Sequence, residues 1–261
     1  MPDTASAITG LPAVPRTLRL LITYDGTNYA GWQRQDNARS VQQVIEEAFV
    51  PLFERSGQAP SLAGASRTDA GVHALGQVAS IVVPFDLSAI AVHRALNVRL
   101  PFDVRVLDVA EAAPRFHARF EARSKSYRYR IATTRVMSPF DRWFVWHMPR
   151  PCDPALMRAA APRLVGRHDF ASFEGRDSVL LDTVRTLTRI EVFERPGEIV
   201  VEVDGDGFLR HMVRIVVGTL VDVGCGLRPA SWVADALSAR DRRAAGQTAP
   251  AAGLTLVSVQ Y

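Results

Sequence analysis

The chain has 261 residues, 48% apolar or aromatic and 22% charged, which leaves room for one large folded domain or two modest ones and excludes wholesale disorder. Formal net charge is only +4, from 31 Lys and Arg against 27 Asp and Glu, so a polyanionic partner is permitted but not demanded. The two cysteines, Cys152 and Cys225, form no CxxC pair and read as lone thiols in a reducing cytoplasm rather than a disulfide framework or a zinc site; no apolar run of about 18 residues marks a membrane span.

Residues 1–15 carry Ala, Thr and Pro but no basic stretch ahead of an apolar run, and read as a loose arm rather than a signal peptide. The first predicted element covers residues 17–25, where Leu18, Leu20, Ile22 and Tyr24 share one face of a strand. Asp25-Gly26 ends it with turn chemistry. Ser40 and Gln43 form a capping box ahead of Val41, Val44, Ile45, Ala48, Phe49 and Leu52, a helical stripe that Pro51 should kink or end. A short strand follows near Leu62, then a glycine-punctuated loop over 64–76. Next come a strand at 77–83, a helix at 88–97 and a strand at 104–110. That order, β-α-β-β-α-β, is the ferredoxin-like plan.

The second half repeats it. A strand is expected over 122–133, and a helix from Asp153-Pro154, with Asp as N-cap and Pro in the first turn. Residues 185–194 and 198–204 read as a hairpin around Pro196-Gly197. Helices follow at 208–223, stopping at Gly224, and at 230–239, with a last strand at 254–261. The chain therefore reads as an α/β (α+β) fold of two tandem units, 16–115 and 116–261, joined near 114–121. A cleft between two such units is the default place for a ligand.

Three segments could carry chemistry. The first, Gly64-Ala65-Ser66-Arg67-Thr68-Asp69-Ala70-Gly71-Val72-His73, sets one Asp and one Arg among small residues that let a bulky ligand approach the backbone. A carboxylate beside a guanidinium favours its charged form, as a nucleophile or base requires. Taken alone, the string fits a turn-capping Asp paired with its Arg better. In the second, Lys125, Tyr127, Tyr129 and Ile131 share one strand face and Arg128 and Arg130 the other. Tyr129 and Ile131 suit a core, Tyr127 could reach a cleft, and interleaved rings and cations suit RNA. In the third, Gly207 to Arg214, Met212, Val213, Val216 and Leu220 form an apolar stripe. Arg210, His211 and Arg214 crowd a helix N-terminus, where positive charge is unfavourable unless an anion sits opposite. Solvated arginines on a core helix fit as well.

The string Arg67-Thr68-Asp69-Ala70-Gly71-Val72-His73-Ala74 with Gly76-Gln77-Val78 resembles the signature of the tRNA pseudouridine synthase family of the TruA type. Similar blocks follow the family's order at Asp25 to Gln35, Phe116 to Arg119, Lys125 to Tyr129, Phe208 to Arg214 and Ala251 to Leu254. They cover nearly all of the chain after the first fifteen residues. The resemblance implies two tandem ferredoxin-like units forming a continuous antiparallel sheet around a central cleft. It implies a cytoplasmic homodimer that isomerises uridine in the anticodon stem-loop of tRNA, without metal or organic cofactor. Carried over by position, Asp69 is the catalytic aspartate, Tyr127 the active-site tyrosine, Arg214 the basic partner of the aspartate, and Leu254 an apolar wall of the base pocket. Arg67 helps shape the pocket, and Lys125 and Arg128 are expected on its rim against phosphates. Ser66 departs from the Gly of many members and makes the loop slightly less permissive. The alternative is a non-catalytic RNA-binding module. No GxSxG elbow, HExxH helix, Walker A loop or dinucleotide fingerprint supports a hydrolase or a nucleotide enzyme.

Overall fold

A computed structural model describes residues 15–175 and 182–261; all but the last residue of the expected N-terminal arm lies outside them. The first half runs β1 (Arg16–Tyr24), α1 (Val41–Phe53), β2 (Ala63–Gly64), β3 (His73–Val83), α2 (Ala89–Arg99) and β4 (Val104–Ala112). The second runs β5 (Ser124–Ala132), β6 (Trp146–His147), α3 (Pro154–Ala160), β7 (Gly166–Asp169), β8 (Val184–Arg195) and β9 (Glu198–Gly205). It ends with α4 (Met212–Gly224), α5 (Trp232–Ala239) and β10 (Leu254–Gln260).

One sheet joins all the strands in the order β4-β1-β3-β10-β5-β9-β8-β7, with β2 on β3 and β6 on β5. Pairing is mostly antiparallel. The exceptions are β10 on β3 and β6 on β5, which run parallel. The chain's last strand thus sits at the middle of the sheet, between β3 and β5. Gly76 permits this, because a Cβ there would meet the Val257 carbonyl at 2.4 Å.

The period-two reading of β1 holds: Leu18, Leu20, Ile22 and Tyr24 are buried. They face Val41, Val44, Ile45, Ala48 and Phe49 of α1 within one continuous core that also takes in α4. Ser40 caps α1 by accepting the Gln43 N–H, and the helix continues two residues past Pro51. Strand β3 is covered on both faces, so its burial is nearly unbroken rather than alternating. Ala65, Val78 and Ala118 make a small second cluster, and the 116–120 turn is fastened there by the Ala118 N–H to Ser80 Oγ (3.1 Å) and by Tyr261 Oη to the Ala118 carbonyl (2.7 Å).

Several details differ from the sequence reading. Strand β3 already begins at His73, inside the stretch expected as a loop over 64–76. The two-residue β6 and four-residue β7 carry no periodicity to detect and were missed. Helix α4 starts at Met212, not 208, because His211 takes a left-handed backbone. Cys152 and Cys225 are free thiols, as expected, but they are neighbours: burial first, then Cys225, pushes the Cys152 thiol up to about 12.

Candidate active site

The loop between β2 and β3 is held in place before any ligand is considered. The Trp32 N–H donates to the Thr68 carbonyl (3.1 Å), the Gly71 N–H to the Tyr29 carbonyl (3.2 Å), and Tyr24 Oη meets Thr68 Oγ1 at 2.8 Å. Gly31, at φ +94°, lies so close that a Cβ would come within 2.4 Å of the Thr68 carbonyl oxygen. The Asp25–Gln35 segment is therefore the bed on which the Arg67–Asp69 loop rests. His73 belongs to this bed rather than to the chemistry: it is buried, and its Nδ1 accepts the Gly26 N–H at 3.1 Å.

The Gln77 carboxamide clamps Ser66 from both sides, accepting its N–H (3.2 Å) and donating to its carbonyl (2.7 Å). Ser66 Oγ in turn lies 2.8 Å from Tyr127 Oη. The hydroxyl expected only to stiffen the loop is a partner for the phenol. Burial, opposed by the Ser66 hydrogen bond, pushes the Tyr127 phenol up to about 12. Its ring meets Phe208 edge-on, centroids 5.0 Å apart.

Helix α4 approaches from the far side. Arg214 donates from Nη1 to Asp69 Oδ2 (3.1 Å) and from Nε to the Ala249 carbonyl (2.7 Å). The anion expected opposite the cationic helix start is therefore Asp69. His211 Nε2 stands 3.7 Å from the other carboxylate oxygen, Oδ1. Burial, with Arg214, Arg210 and Arg242 around it, holds His211 below the usual histidine range against the pull of Asp69.

These groups line one cleft of about 920 Å³. The residues on its wall include Arg67, Asp69, Lys125, Tyr127, Arg214 and Leu254. Arg128 is not brought there. Strand alternation turns it to the other face of β5, where it pairs with Glu202 opposite it on β9 (2.8 Å), so it is no rim cation. Lys125 is half-buried, and burial, then Arg119 and Arg185, lowers its ammonium to about 8.

The family model for tRNA pseudouridine synthase matches residues 20–121 and 160–261. The chain belongs to this family. It is 46% identical over 246 residues to tRNA pseudouridine synthase A of Pelobacter propionicus, covering 94% of this chain and 100% of that one. It is 46% identical over 244 residues to that of Syntrophotalea carbinolica (94% and 96% covered), and 45% identical over 249 residues to that of Myxococcus xanthus (95% and 92%). As a tRNA pseudouridine synthase the protein is an isomerase acting on uridine in tRNA.

Within this synthase the cleft has members that motif reading did not single out. Phe208, Arg119, Gln33 and Gln35 also line it. Each lies inside a family block, but as single residues they had no distinguishing spacing. Among the described residues, no group of three or more His, Cys, Asp or Glu side chains could hold a metal ion, and no helix is long and apolar enough to cross a membrane.

Proposed function

We propose that this synthase acts on uridines of the anticodon stem-loop, with Asp69 as the reacting carboxylate, Arg214 as its orienting partner and Tyr127 against the base. The observation that carries the reading is the 3.1 Å bond from Arg214 to Asp69 within a cleft large enough for a nucleotide. Residues 16–115 supply Arg67 and Asp69, and 116–261 supply Tyr127, Arg214 and Leu254. That division supports reading the two stretches as the units that form the cleft walls.

The target uridine leaves its stack and enters the cleft, as for other enzymes that work on a base. Asp69 opens the bond between ribose C1′ and uracil N1, by attack on C1′ or by taking the C2′ proton to leave a glycal. The base turns and C5 bonds to C1′, displacing the Asp69 carboxylate on the first route or with the C2′ proton returned by Asp69 on the second; the C5 proton leaves and N1 gains one, so no atom is gained or lost overall. Tyr127 stacks on the base. A phenol at about 12 stays protonated at neutral pH, which favours stacking over proton abstraction from C5. Leu254 closes the apolar side of the base pocket, Arg67 helps shape it, and Lys125 meets the phosphates.

The test is tritium release from tRNA labelled at uridine C5. Wild-type protein should release it and Asp69→Asn should bind tRNA without release; turnover by the variant removes Asp69 from the mechanism. Binding by wild type without release would support a binding module instead. Deuterium at C2′ separates the two openings, since only the glycal route gives a primary isotope effect. The reading includes a cytoplasmic homodimer working without metal or organic cofactor. Light scattering should give twice the chain mass, and turnover should survive exhaustive chelation.

A further inference from the structure

His211 has a backbone that its residue type does not favour. It stands at φ 61° immediately before α4, one of three non-glycine residues with positive φ among those described. Histidine enters this region more readily than most side chains, yet the conformation still costs energy and persists only where surrounding structure imposes it. An N-cap position usually offers a short side chain to the first free N–H groups, but His211 makes no such bond. The helix start thus forgoes a cap, and the backbone twist turns the imidazole toward Asp69 instead.

The ring is also backed. A Cβ on Gly175 would lie 2.6 Å from His211 Nδ1, so the glycine backbone packs directly on the imidazole. The Gly175 N–H donates to the Arg210 carbonyl at 2.8 Å, which fixes that backing. His211 forms part of the wall between the catalytic cleft and a second cavity of about 560 Å³ that Arg210, Arg242 and Arg243 also line. Gly175 closes one side of the ring.

We propose that His211 is a positioning residue for the Asp69 carboxylate, steadying Oδ1 while Arg214 holds Oδ2. This rests on the reading of Asp69 as the reacting group. The observed 3.7 Å separation is longer than a hydrogen bond. Contacts of this kind shorten when substrate fills a site, and a neutral ring carrying its proton on Nε2 then donates to Oδ1. The charged groups facing the ring are Asp69 from the catalytic loop, Arg210 just ahead of α4, Arg214 in its first turn, and Arg242 from the segment after α5. Burial first, and then the three cations against one carboxylate, favour the neutral imidazole, which orients Asp69 without adding a second full charge to compete for it.

Two measurements on the full-length protein test this. The first follows the His211 ring by NMR through a pH titration, its signal assigned by its loss in His211→Asn. In Asp69→Asn the His211 pKa should fall, because the one group that raises it is gone; an unchanged value overturns the contact. The second compares kinetics on C5-tritiated tRNA. Asn tolerates the left-handed backbone, so His211→Asn should fold with a melting temperature near wild type. Its kcat should fall about tenfold or more, with KM within about twofold, as expected for a misplaced reacting group. An unchanged kcat, or a loss confined to KM, overturns the proposal. Absence of turnover in wild type would fail the mechanistic reading above and leave the titration to decide the contact.

Discussion

Arg214 does two jobs with one side chain. Its Nε is tied to the Ala249 carbonyl, which fixes the plane of the guanidinium, and its Nη1 then reaches Asp69. A lysine has a single ammonium and no planar fork, so it cannot hold both partners in the same geometry. Arg214→Lys is therefore expected to lower kcat by about 100-fold with a small change in KM, measured by single-turnover tritium release. Tyr127 allows the opposite prediction. Its ring is placed by packing and by Phe208, and its hydroxyl spends its hydrogen bond on Ser66. Losing one such bond is worth about 0.5–1.5 kcal/mol, so Tyr127→Phe should bind normally and lose no more than about tenfold in kcat. A dead Tyr127→Phe would make the hydroxyl the C5 base. The Asp69–Arg214 pair joins residues 145 apart in sequence. Their charges and motifs were legible in the chain and the family resemblance pairs them, but no local rule of the sequence couples a loop to a helix in the other half.

Helix α1 bears on the site through a buried carboxylate. Glu46 accepts from Arg34 Nη1 (2.9 Å), Gln42 Nε2 (2.9 Å) and the Leu62 N–H (3.0 Å). Gln42 Oε1 in turn accepts from Gln33 Nε2 (2.8 Å) and the Arg34 N–H (3.1 Å), which fixes the segment where Gln33 and Gln35 line the cleft. Glu46→Leu leaves the buried Leu62 N–H unpaired, at a cost of about 2 kcal/mol. The urea midpoint should fall with the slope unchanged. Gly31 serves the same segment differently. Gly31→Ala would strain a backbone at φ +94° and press on Thr68, so stability and kcat should fall together. At this scale the apolar stripe of α4 was readable, as Met212, Val213, Val216 and Leu220 are all buried. The helix start was not, since the left-handed turn at His211 answers to Gly175 and Asp69 rather than to local propensity.

The net charge of +4 is modest for the whole chain, yet the described lining of the cleft holds five cations, Arg67, Arg119, Lys125, Arg210 and Arg214, and one carboxylate, Asp69. Affinity for tRNA should therefore fall with salt. Lys125 makes that dependence sensitive to pH. Burial and its Arg neighbours lower the ammonium to about 8, so it is charged below that pH and neutral above it. The slope of log affinity against log salt should shrink by about one phosphate contact, roughly 0.7–0.9, as pH rises through 8. Lys125→Met should show the smaller slope at every pH. A wild-type slope independent of pH would place Lys125 off the RNA path. Arg128, matched by Glu202, should add nothing to the slope.

The sequence by itself determined most of the succession of strands and helices and the buried faces of β1, α1 and α4, and it singled out the Arg67–Asp69 loop as the candidate seat of chemistry. These follow from period, capping and turn chemistry, which act over a few residues. Only the tertiary structure decided that β10 lies between β3 and β5, that Arg128 turns away to Glu202, that Ser66 meets Tyr127, and that His211 stands by the Asp69 carboxylate oxygen that Arg214 does not hold. Those are long-range choices, made by which surfaces can be buried together and which charges can be matched once the sheet has closed.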